Sequence, residues 1–565
     1  MKKAISILLA LALVLALPIA GMAEGFTVTE KGTLPVVEGD RPTYTCVVGV
    51  GVFIEDMNTN TQSLWYEEQT NVHIEYEQIN ENDTTEKVGL KFASGDLPDF
   101  FMNVGSSISS MEGKYGVEEG MIIPLDEYID EYMVYMHEAL ETFPIGSLDT
   151  IRQYDGKIYG LPIMSDCFHC VNAAKIWINT TWLDALDLEM PTTTDEFYAV
   201  LKAFKEKDPN GNGAADEIPF AGSITGWNAT PDKAIMNAFL YYDLSIADGD
   251  IQSNGGWFID DEGKIDTALN KEACREGWRY INKLYTEGLI YEASFTQQNE
   301  ALVQIGENPE GIILGAAPGG WGAQFSQVPS KATKTADQHY ENYMTVPALK
   351  GPEGVQYAIT YTQDPYTALW ITDVCENPEV ICRWADYMYS TEGTLSFRHG
   401  AEGTNWRWAE DGEIGFNGEP AQWAAVAYYS GNTGDTQNYC WTQTGIYNFS
   451  AEWRGSQAVS AEVDLRSAED MEYMLFKVTQ EMYEPYGGLK YNLPTLNYTE
   501  DQQSRITDLT YEFQNYYDEV IYGFITGEKD IDSDADWQAH LDNLATYGVD
   551  EICEIYQTAY DAMYK

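Results

Sequence analysis

Evenly spaced oxygen-bearing side chains mark one loop of this sequence as a candidate cation site. Gly213 stands at the sixth position of the loop, where a sharp turn favours a residue without a side chain. Calcium binds about six to eight oxygens, and the loop supplies that many if Glu217 is bidentate. The sequence therefore predicts a structural calcium site. Its expected ligands are Asp208, Asn210, Asn212, the carbonyl of Ala214, Asp216 and Glu217.

The loop departs from a standard EF-hand at its end. Pro219 stands at the twelfth position, where an EF-hand carries a bidentate Glu. Ile218 to Phe220 is typical of an extended segment, so we expect no second helix and no opening and closing of a helix pair. The alternative is a turn rich in Asx and Gly residues that binds no metal. Calcium is abundant outside the cytosol, so the calcium interpretation favours an exported protein.

Aromatic residues supply the second kind of candidate site. The chain has 15 Trp and 39 Tyr, and flat apolar rings with polar tips suit the C–H faces of sugars. Trp321 follows Pro318-Gly319-Gly320 at the end of an apolar run, so we expect it at the carboxyl end of a strand. A ligand carboxylate would be bound by Arg407, because a guanidinium binds it bidentately. The predicted ligand contacts are Trp321, Trp406, Arg407, Trp408, Glu402, Trp227, Asn103, Asp56 and Trp441.

Sequence motifs for catalysis are missing. There is no Gly-x-Ser-x-Gly, no His-Glu-x-x-His and no phosphate-binding glycine loop. With 90 acidic residues, carboxylate pairs occur by chance, so no pair identifies a glycosidase. We therefore predict a binding protein. A secreted glycan-degrading enzyme and a carrier of peptides or another polar solute remain the alternatives.

The charge balance excludes several kinds of partner. The 565-residue chain has a net charge of −58, with only 32 Lys and Arg. Nucleic acids and anionic membrane surfaces require basic patches, so neither is expected. The field of the whole protein also disfavours a strongly anionic ligand unless arginines cluster locally.

The cysteines give no clear metal motif. Cys167-Phe168-His169-Cys170 has the spacing of a redox motif or half of a zinc site, but no second pair stands near it. The six histidines are scattered. We expect buried thiols, or a few disulfides whose pairing the sequence does not reveal. The cysteines are Cys46, Cys167, Cys170, Cys274, Cys375, Cys382, Cys440 and Cys553.

Periodicity predicts the elements that position these residues. Thr193 and Glu196 form a capping box ahead of a helix whose buried face carries Phe197, Val200, Leu201 and Phe204. Near the start of the chain, strands, helices and strands alternate from residue 43 to residue 104. This β-α-β-α-β order predicts an α/β fold with a parallel sheet. Ligands bind beyond the carboxyl ends of such strands, which places Asp56 and Asn103 at the site.

The first residues predict export. Residues 1–23 have the two lysines, the apolar run and the small residues of a signal peptide. Ile19-Ala20-Gly21-Met22 resembles a lipidation motif in which Met22 replaces the cysteine, so lipid attachment is not expected there. Residues 24–42 carry Gly, Pro and charge and are predicted to form a flexible tether.

Several segments, in order, resemble the extracellular solute-binding proteins of family 1, in the branch that includes the lipoprotein LplA. They are Leu64–Ile74 (LWYEEQTNVHI), Phe92–Asp99 (FASGDLPD), Asp155–Pro162 (DGKIYGLP), Leu284–Ile290 (LYTEGLI) and Ile555–Asp561 (IYQTAYD), together with the calcium loop. The resemblance implies a two-lobed periplasmic-binding-protein-like fold of type II, with a ligand cleft at the hinge. It implies an extracellular, non-enzymatic protein that delivers an oligosaccharide to the permease subunits of an ABC importer.

The resemblance also sets the expected domain boundaries. Lobe 1 is predicted to comprise residues 43–165 and 356–430. Lobe 2 is predicted to comprise residues 166–355 and 431–565, including the calcium loop. We expect a monomer.

Overall fold

The computed structural model describes most of the chain after the predicted signal peptide. The predicted signal peptide, residues 1–23, lies outside the described residues, and so does its Met22. No helix in the described portion is both long enough and apolar enough to cross a membrane. The described residues are 25–51, 54–80, 83–105, 112–143, 148–243, 256–328, 339–361, 364–426, 436–494, 496 and 498–565.

Strands and helices alternate along much of the chain. The strands are β1 (Phe26–Val28), β2 (Val37–Gly39), β3 (Thr43–Val50), β4 (His73–Asn80), β5 (Phe100–Met102), β6 (Leu161–Ile163), β7 (Ile176–Asn179), β8 (Trp257–Ile259), β9 (Ile265–Thr267), β10 (Ala316–Pro318), β11 (Tyr343–Val346), β12 (Tyr366–Ile371), β13 (Trp406–Trp408) and β14 (Trp423–Ala425). The α-helices are α1 (Thr61–Thr70), α2 (Thr84–Ser94), α3 (Asp126–Tyr132), α4 (Tyr135–Thr142), α5 (Thr180–Leu186), α6 (Thr194–Glu206), α7 (Lys233–Met236), α8 (Glu272–Thr286), α9 (Asn299–Gly306), α10 (Pro378–Asp386), α11 (Thr391–His399), α12 (Ala451–Gly455), α13 (Met471–Val478), α14 (Glu500–Thr526), α15 (Asp534–Thr546) and α16 (Val549–Tyr564).

Lobe 1 is built on a sheet in the order β4-β3-β5-β12-β6. β3 runs parallel to β4 and β5, as the β-α-β-α-β pattern predicts. β12 enters from the other lobe and runs antiparallel to β5 and β6. β3 is buried along most of its length because helices cover both faces of the sheet.

Lobe 2 has a smaller sheet in the order β10-β7-β11, in which both outer strands run antiparallel to β7. α6 begins with the predicted capping box of Thr193 and Glu196. Its predicted apolar face is buried in the core of this lobe. The long helices α8 and α14 pack on the same core, where Trp278 stacks against Phe524. The mixed α/β architecture with two cores matches the predicted two-lobed fold.

Two segments that connect the lobes are hydrogen-bonded to each other. The first crossing comprises residues 164–175, and the described part of the second comprises residues 355–361, 364 and 365. The Asn172 side chain donates to the carbonyl of Ile359 at 2.8 Å, and the N–H of Tyr361 donates to the carbonyl of Val171 at 2.8 Å. Asn172 and Ile359 are buried. These bonds join the crossings into one hinge element.

The predicted flexible tether is wrong for the part of it that the structure describes. β1 and β2 pair as an antiparallel hairpin between residues 26 and 39. Val36 and Val37 are fully buried against the core of lobe 1. The composition rich in Gly and Pro reflects a tight loop of a folded hairpin, because the flanking Val residues supply an apolar anchor.

The end of lobe 1 also differs from the predicted boundary at residue 430. Trp441, Phe449 and Trp453 pack in the core of lobe 1. α13, in contrast, packs in lobe 2 beside Trp177. We therefore propose that lobe 1 continues through α12 and that the chain crosses to lobe 2 between residues 456 and 470.

Candidate ligand cleft and cation loop

On lobe 2, the sheet edge next to the first crossing carries Trp321. β10 ends at Pro318, which pairs with Ile176 directly after the crossing. The N–H of Gly319 donates to the carbonyl of Lys175 at 3.0 Å. Trp321 follows at the predicted strand end and is half-buried. The sequence-based placement of Trp321 at a carboxyl strand end is therefore reproduced.

Trp227 lies at the same edge. The N–H of Gly320 donates to the carbonyl of Trp227 at 2.9 Å, and the N–H of Trp227 donates to Oε1 of Gln324 at 2.8 Å. The indole is 38% exposed. The edge of the His169 ring, from the first crossing, lies against it at 6.1 Å between centroids. Trp227 and Trp321, two of the predicted ligand contacts, thus lie at the same sheet edge beside the first crossing.

On lobe 1, Asn103 follows β5 at the carboxyl edge of the parallel strands. Its backbone has a positive φ of 53°, and its side-chain N–H donates to the carbonyl of Gln443 at 3.0 Å. Oδ1 of Asn103 is buried and has no hydrogen-bond partner among the described residues. Such an oxygen is a candidate acceptor for a ligand hydroxyl.

Asp56 has a more local role than predicted. Its carboxylate accepts from the N–H of Asn58 at 3.0 Å and from the hydroxyl of Thr59 at 3.1 Å. Its own N–H donates to Oδ1 of Asn438 at 3.2 Å. The carboxylate therefore closes its own turn, which leaves less of it available for a ligand.

Two predicted contacts are core residues. Trp406 is fully buried and donates from Nε1 to the carbonyl of Gly400 at 2.9 Å. Trp441 is fully buried and donates from Nε1 to Oγ of Ser63 at 2.9 Å. Both indoles have satisfied their polar atom within the protein, so neither can contact a ligand in this arrangement.

Arg407 is already paired. Its guanidinium binds Glu413 bidentately at 2.8 and 2.6 Å. The hydrogen bonds from Arg407 hold the pKa of the Glu413 carboxyl at about 2. Trp408 on the same strand is 43% exposed with its ring edge-on to Trp406, and Glu402 is exposed nearby. Trp408 and Glu402 stay predictions.

Sequence reasoning missed Tyr366. It is the first residue of β12, directly after the second crossing, and pairs with Ile163 at the carboxyl end of β6. The ring is 53% exposed. An aromatic residue at the first position of a mainly apolar strand is the sequence signal that could have identified it.

Sequence reasoning also missed a charged cluster between the lobes. Arg398 and Arg454 come from lobe 1, whereas Glu472 lies on α13 of lobe 2. Burial raises the pKa of Glu472, but His169 and the two arginines outweigh it and lower this pKa to about 2. Nε2 of His169 lies 3.4 Å from Oε2 of Glu472. Burial lowers the pKa of His169, and Glu472 opposes this effect.

Burial also dominates the basic groups around this cluster. It lowers the pKa of Arg454 to about 10, that of His399 to about 3 and that of Lys175 to about 7. Lys175 is fully buried and donates to the carbonyls of His169 and Asn172. These contacts hold the turn of the first crossing.

Cys167 and Cys170 form a disulfide in the first crossing. The expected alternatives were buried thiols or a few disulfides. Both occur, because the other cysteines are free thiols, buried or half-buried. The two sulfurs and the His169 ring are near enough to hold a metal ion, but the disulfide removes the thiolates that would bind it.

The loop after α6 is folded by turns in which backbone N–H groups donate to side-chain oxygens. The N–H of Gly213 donates to Oδ2 of Asp208 at 3.1 Å, that of Asn212 to Oδ1 of Asn210 at 3.0 Å, and that of Ala214 to Oδ1 of Asn212 at 2.7 Å. Gly213 has a φ of +78°, as its predicted position requires. Among the described residues, the three acidic side chains of the loop do not form a close metal-binding group.

Asp216 and Glu217 form the acidic end of the loop. Oδ1 of Asp216 accepts from the amide of Asn210 at 3.1 Å and from that of Asn212 at 3.2 Å. Oε1 of Glu217 is buried without a partner among the described residues. Burial, and then the charges of Asp216 and Asp208, raise the pKa of Glu217. The orphaned oxygen of Glu217 is the feature of this loop that suits an oxygen-binding cation.

Comparisons with known proteins agree with this architecture. A family model for bacterial extracellular solute-binding proteins matches residues 52–395. The fructooligosaccharide ABC transporter substrate-binding protein FusA of Streptococcus pneumoniae serotype 4 is 27% identical over 559 residues, which cover 95% of this chain and 91% of the relative.

Two solved structures of the S. pneumoniae FusA protein share the fold. The complex with kestose is 24% identical, with a TM-score of 0.73 over 92% of this chain and 99% of the other. An EF-hand mutant in complex with fructo-nystose is 23% identical, with the same TM-score and coverage.

Proposed function

The chain belongs to the bacterial extracellular solute-binding protein family, and on this premise we propose that it is the substrate-binding protein of an ABC importer for oligosaccharides. The observation that supports the proposal is that one sheet edge of each lobe borders the hydrogen-bonded crossings. Trp227 and Trp321 stand on the lobe 2 edge, and Tyr366 and Asn103 stand on the lobe 1 edge. The named function of FusA, a relative over 95% of the chain, supports it.

Binding would use the two edges differently. The exposed faces of Trp227 and Tyr366 offer apolar contact to sugar rings. The orphaned Oδ1 of Asn103 would accept a hydrogen bond from a hydroxyl. Rotation of the lobes about the bonded crossings would then enclose the ligand.

The loop from Asp208 to Glu217 would hold calcium. The ligands are the side chains of Asp208, Asn210, Asn212, Asp216 and Glu217 with the carbonyl of Ala214. The ion supplies positive charge to the three carboxylates of the loop. The loop directly follows α6, whose apolar face lies in the core of lobe 2, so its proposed role is to stabilise that lobe.

We further propose that the protein is an exported monomer that docks on the permease subunits of its importer. The predicted signal peptide and the Met22 position support export without lipid attachment at that residue. The protein would act by binding alone, without turnover of the sugar. No contact in the described residues favours a hydrolytic reaction or the capture of peptide termini over this function.

A calorimetric screen tests the proposal. The mature protein would be titrated with neutral and acidic oligosaccharides and with peptides, and each mixture would be analysed for hydrolysis products. The proposal expects micromolar or tighter binding of one oligosaccharide class with no product. Binding of peptides alone, or release of shorter sugars, would contradict it.

A further inference from the structure

Arg398 and Arg454 both lie over the same aromatic ring, that of Phe449. The guanidinium carbons lie 4.4 and 4.3 Å from the centroid of Phe449. Stacking of this kind fixes the plane of a guanidinium and leaves its N–H edge free to donate. The two side chains come from α11 and α12 of lobe 1.

Neither guanidinium has a hydrogen bond or a close ion pair within the described part of the chain. Arg454 is only 8% exposed, and its Nε is buried without a partner. A buried cationic donor without an acceptor is costly, so such groups normally find one. Most other arginines do so here. Arg41, Arg152, Arg275, Arg279, Arg383, Arg407 and Arg505 all donate to a carboxylate or a backbone carbonyl.

The pair lies where the two lobes meet. Both arginines act electrostatically on the exposed Tyr366 and on Glu472 of lobe 2. Nε2 of His399, the neighbour of Arg398, is also buried without a partner. The open donors are therefore gathered at the hinge end of the proposed cleft.

We propose that Arg398 and Arg454 bind a carboxylate of the ligand, so that the oligosaccharide is one that contains uronic acid. This inference rests on the proposed function and specifies its substrate class. A planar carboxylate matches the fork of a guanidinium and accepts two hydrogen bonds from it. Arg398 is half-buried and therefore has the more accessible guanidinium, and the buried Arg454 supplies a second positive charge over the same ring.

Two acidic groups near the pair do not occupy this position. Glu472 is engaged by His169. Burial raises the pKa of Asp166 and Arg454 opposes this rise, but the two groups form no close ion pair among the described residues. In a chain with a net charge of −58, two arginines without bonded acids provide the local positive potential that an anionic ligand needs.

The test compares matched ligands. Oligomers of galacturonate, mannuronate and glucuronate would each be titrated beside the carboxyl-reduced oligomer of the same length. The wild type should bind one acidic oligomer about tenfold or more tightly than its reduced form. Arg398→Gln should shrink this ratio to about threefold or less. Arg398→Lys keeps the charge without the fork and should fall between the two. Arg466→Gln, at an exposed site, is the matched control.

Each result has one meaning. Equal or tighter binding of neutral oligomers overturns the uronate inference and leaves the importer proposal intact. A preference for acid that survives in Arg398→Gln overturns the assignment to this pair. Binding of no oligosaccharide at all overturns both proposals.

Discussion

The backbone of Gly320 lies against the indole of Trp227. A Cβ placed on Gly320 would stand 2.3 Å from Cε3 of Trp227, and the Gly320 N–H donates to the Trp227 carbonyl at 2.9 Å. Only a glycine allows this approach, because any side chain would displace the ring. The orientation of the Trp227 indole on the lobe 2 edge thus depends on the absence of a side chain at Gly320.

Trp227→Ala should weaken binding of the oligosaccharide about thirtyfold, since loss of a stacking indole is worth about 2 kcal/mol. Gly320→Ala should also weaken binding, by turning the ring. Isothermal titration measures both. Tyr511→Ala, at an exposed tyrosine on α14, is the control and should leave the Kd unchanged. A Trp227 variant with wild-type affinity would contradict the placement of the ligand on this edge.

Calcium should raise the melting temperature of the protein by a few degrees. A ligand at a hundredfold excess over its Kd stabilises the folded state by about 2.7 kcal/mol. Thermal denaturation in EDTA and after re-addition of calcium measures the effect.

Glu217→Gln tests the same loop with one atom changed. The variant should lose the calcium-dependent rise. In EDTA at neutral pH it should melt no lower than the wild type, because burial already disfavours the Glu217 charge. Glu353→Gln, at an exposed acid, should keep the full response to calcium. A calcium response that survives in Glu217→Gln would contradict the ligand assignment.

Arg407→Gln should leave ligand affinity within about twofold of the wild type, because Glu413 already occupies its guanidinium. The change in stability should be under about 1 kcal/mol, as expected for a partly exposed pair. Calorimetry and urea unfolding measure the two quantities. A large loss of affinity would contradict this prediction and would indicate that Arg407 contacts the ligand.

Thiol titration should find few reactive cysteines in the native protein. Burial raises the pKa of Cys46, Cys274, Cys375, Cys382, Cys440 and Cys553. In denaturant without reductant, those six should react. With reductant, Cys167 and Cys170 should add two more. Eight reactive thiols without reductant would contradict the disulfide.

Stability should fall in mild acid in part through His540. Its Nδ1 lies 2.9 Å from the hydroxyl of Tyr516 and its Nε2 lies 3.0 Å from the carbonyl of Leu269. Burial lowers its pKa from 6.5 to about 4. The unfolded state therefore binds the proton first, and stability is lost as the pH falls from about 7 towards 4. The loss from this group should be about 1 kcal/mol by pH 5.5.

Urea unfolding at pH 7.0 and 5.5 measures this contribution. His540→Gln should reduce the difference in unfolding free energy between the two pH values. His137→Gln, at an exposed histidine, should not. An unchanged pH dependence in His540→Gln would contradict the assignment.

Local chemistry was readable from the sequence wherever neighbouring residues determine it. The capping box of Thr193 and Glu196, the buried face of α6 and the turns around Gly213 depend on spacing alone. The parallel strands of lobe 1 follow from the alternation of strands and helices. These features needed no knowledge of the rest of the chain.

The site residues were harder to predict from the sequence, because the exposure of a side chain depends on segments that are distant in the chain. Trp406 and Trp441 have the composition of a sugar-binding surface, yet both are buried by helices that arrive from elsewhere in the chain. Arg407 is neutralised by Glu413 across a tight loop. Arg398 and Arg454 are separated by more than fifty positions in the printed sequence, and only the fold places both of them against Phe449.

The bonded crossings have a consequence for the size of ligand that fits. Because Asn172 and Tyr361 tie the connecting segments together, the lobes can spread apart only at the side away from them. A sugar chain would enter with one terminus against a fixed wall, and each added unit would extend towards the open mouth. Residues at the open side of the cleft would then select among sugar chains of different length. Residues beside the crossings would recognise the terminal sugar unit.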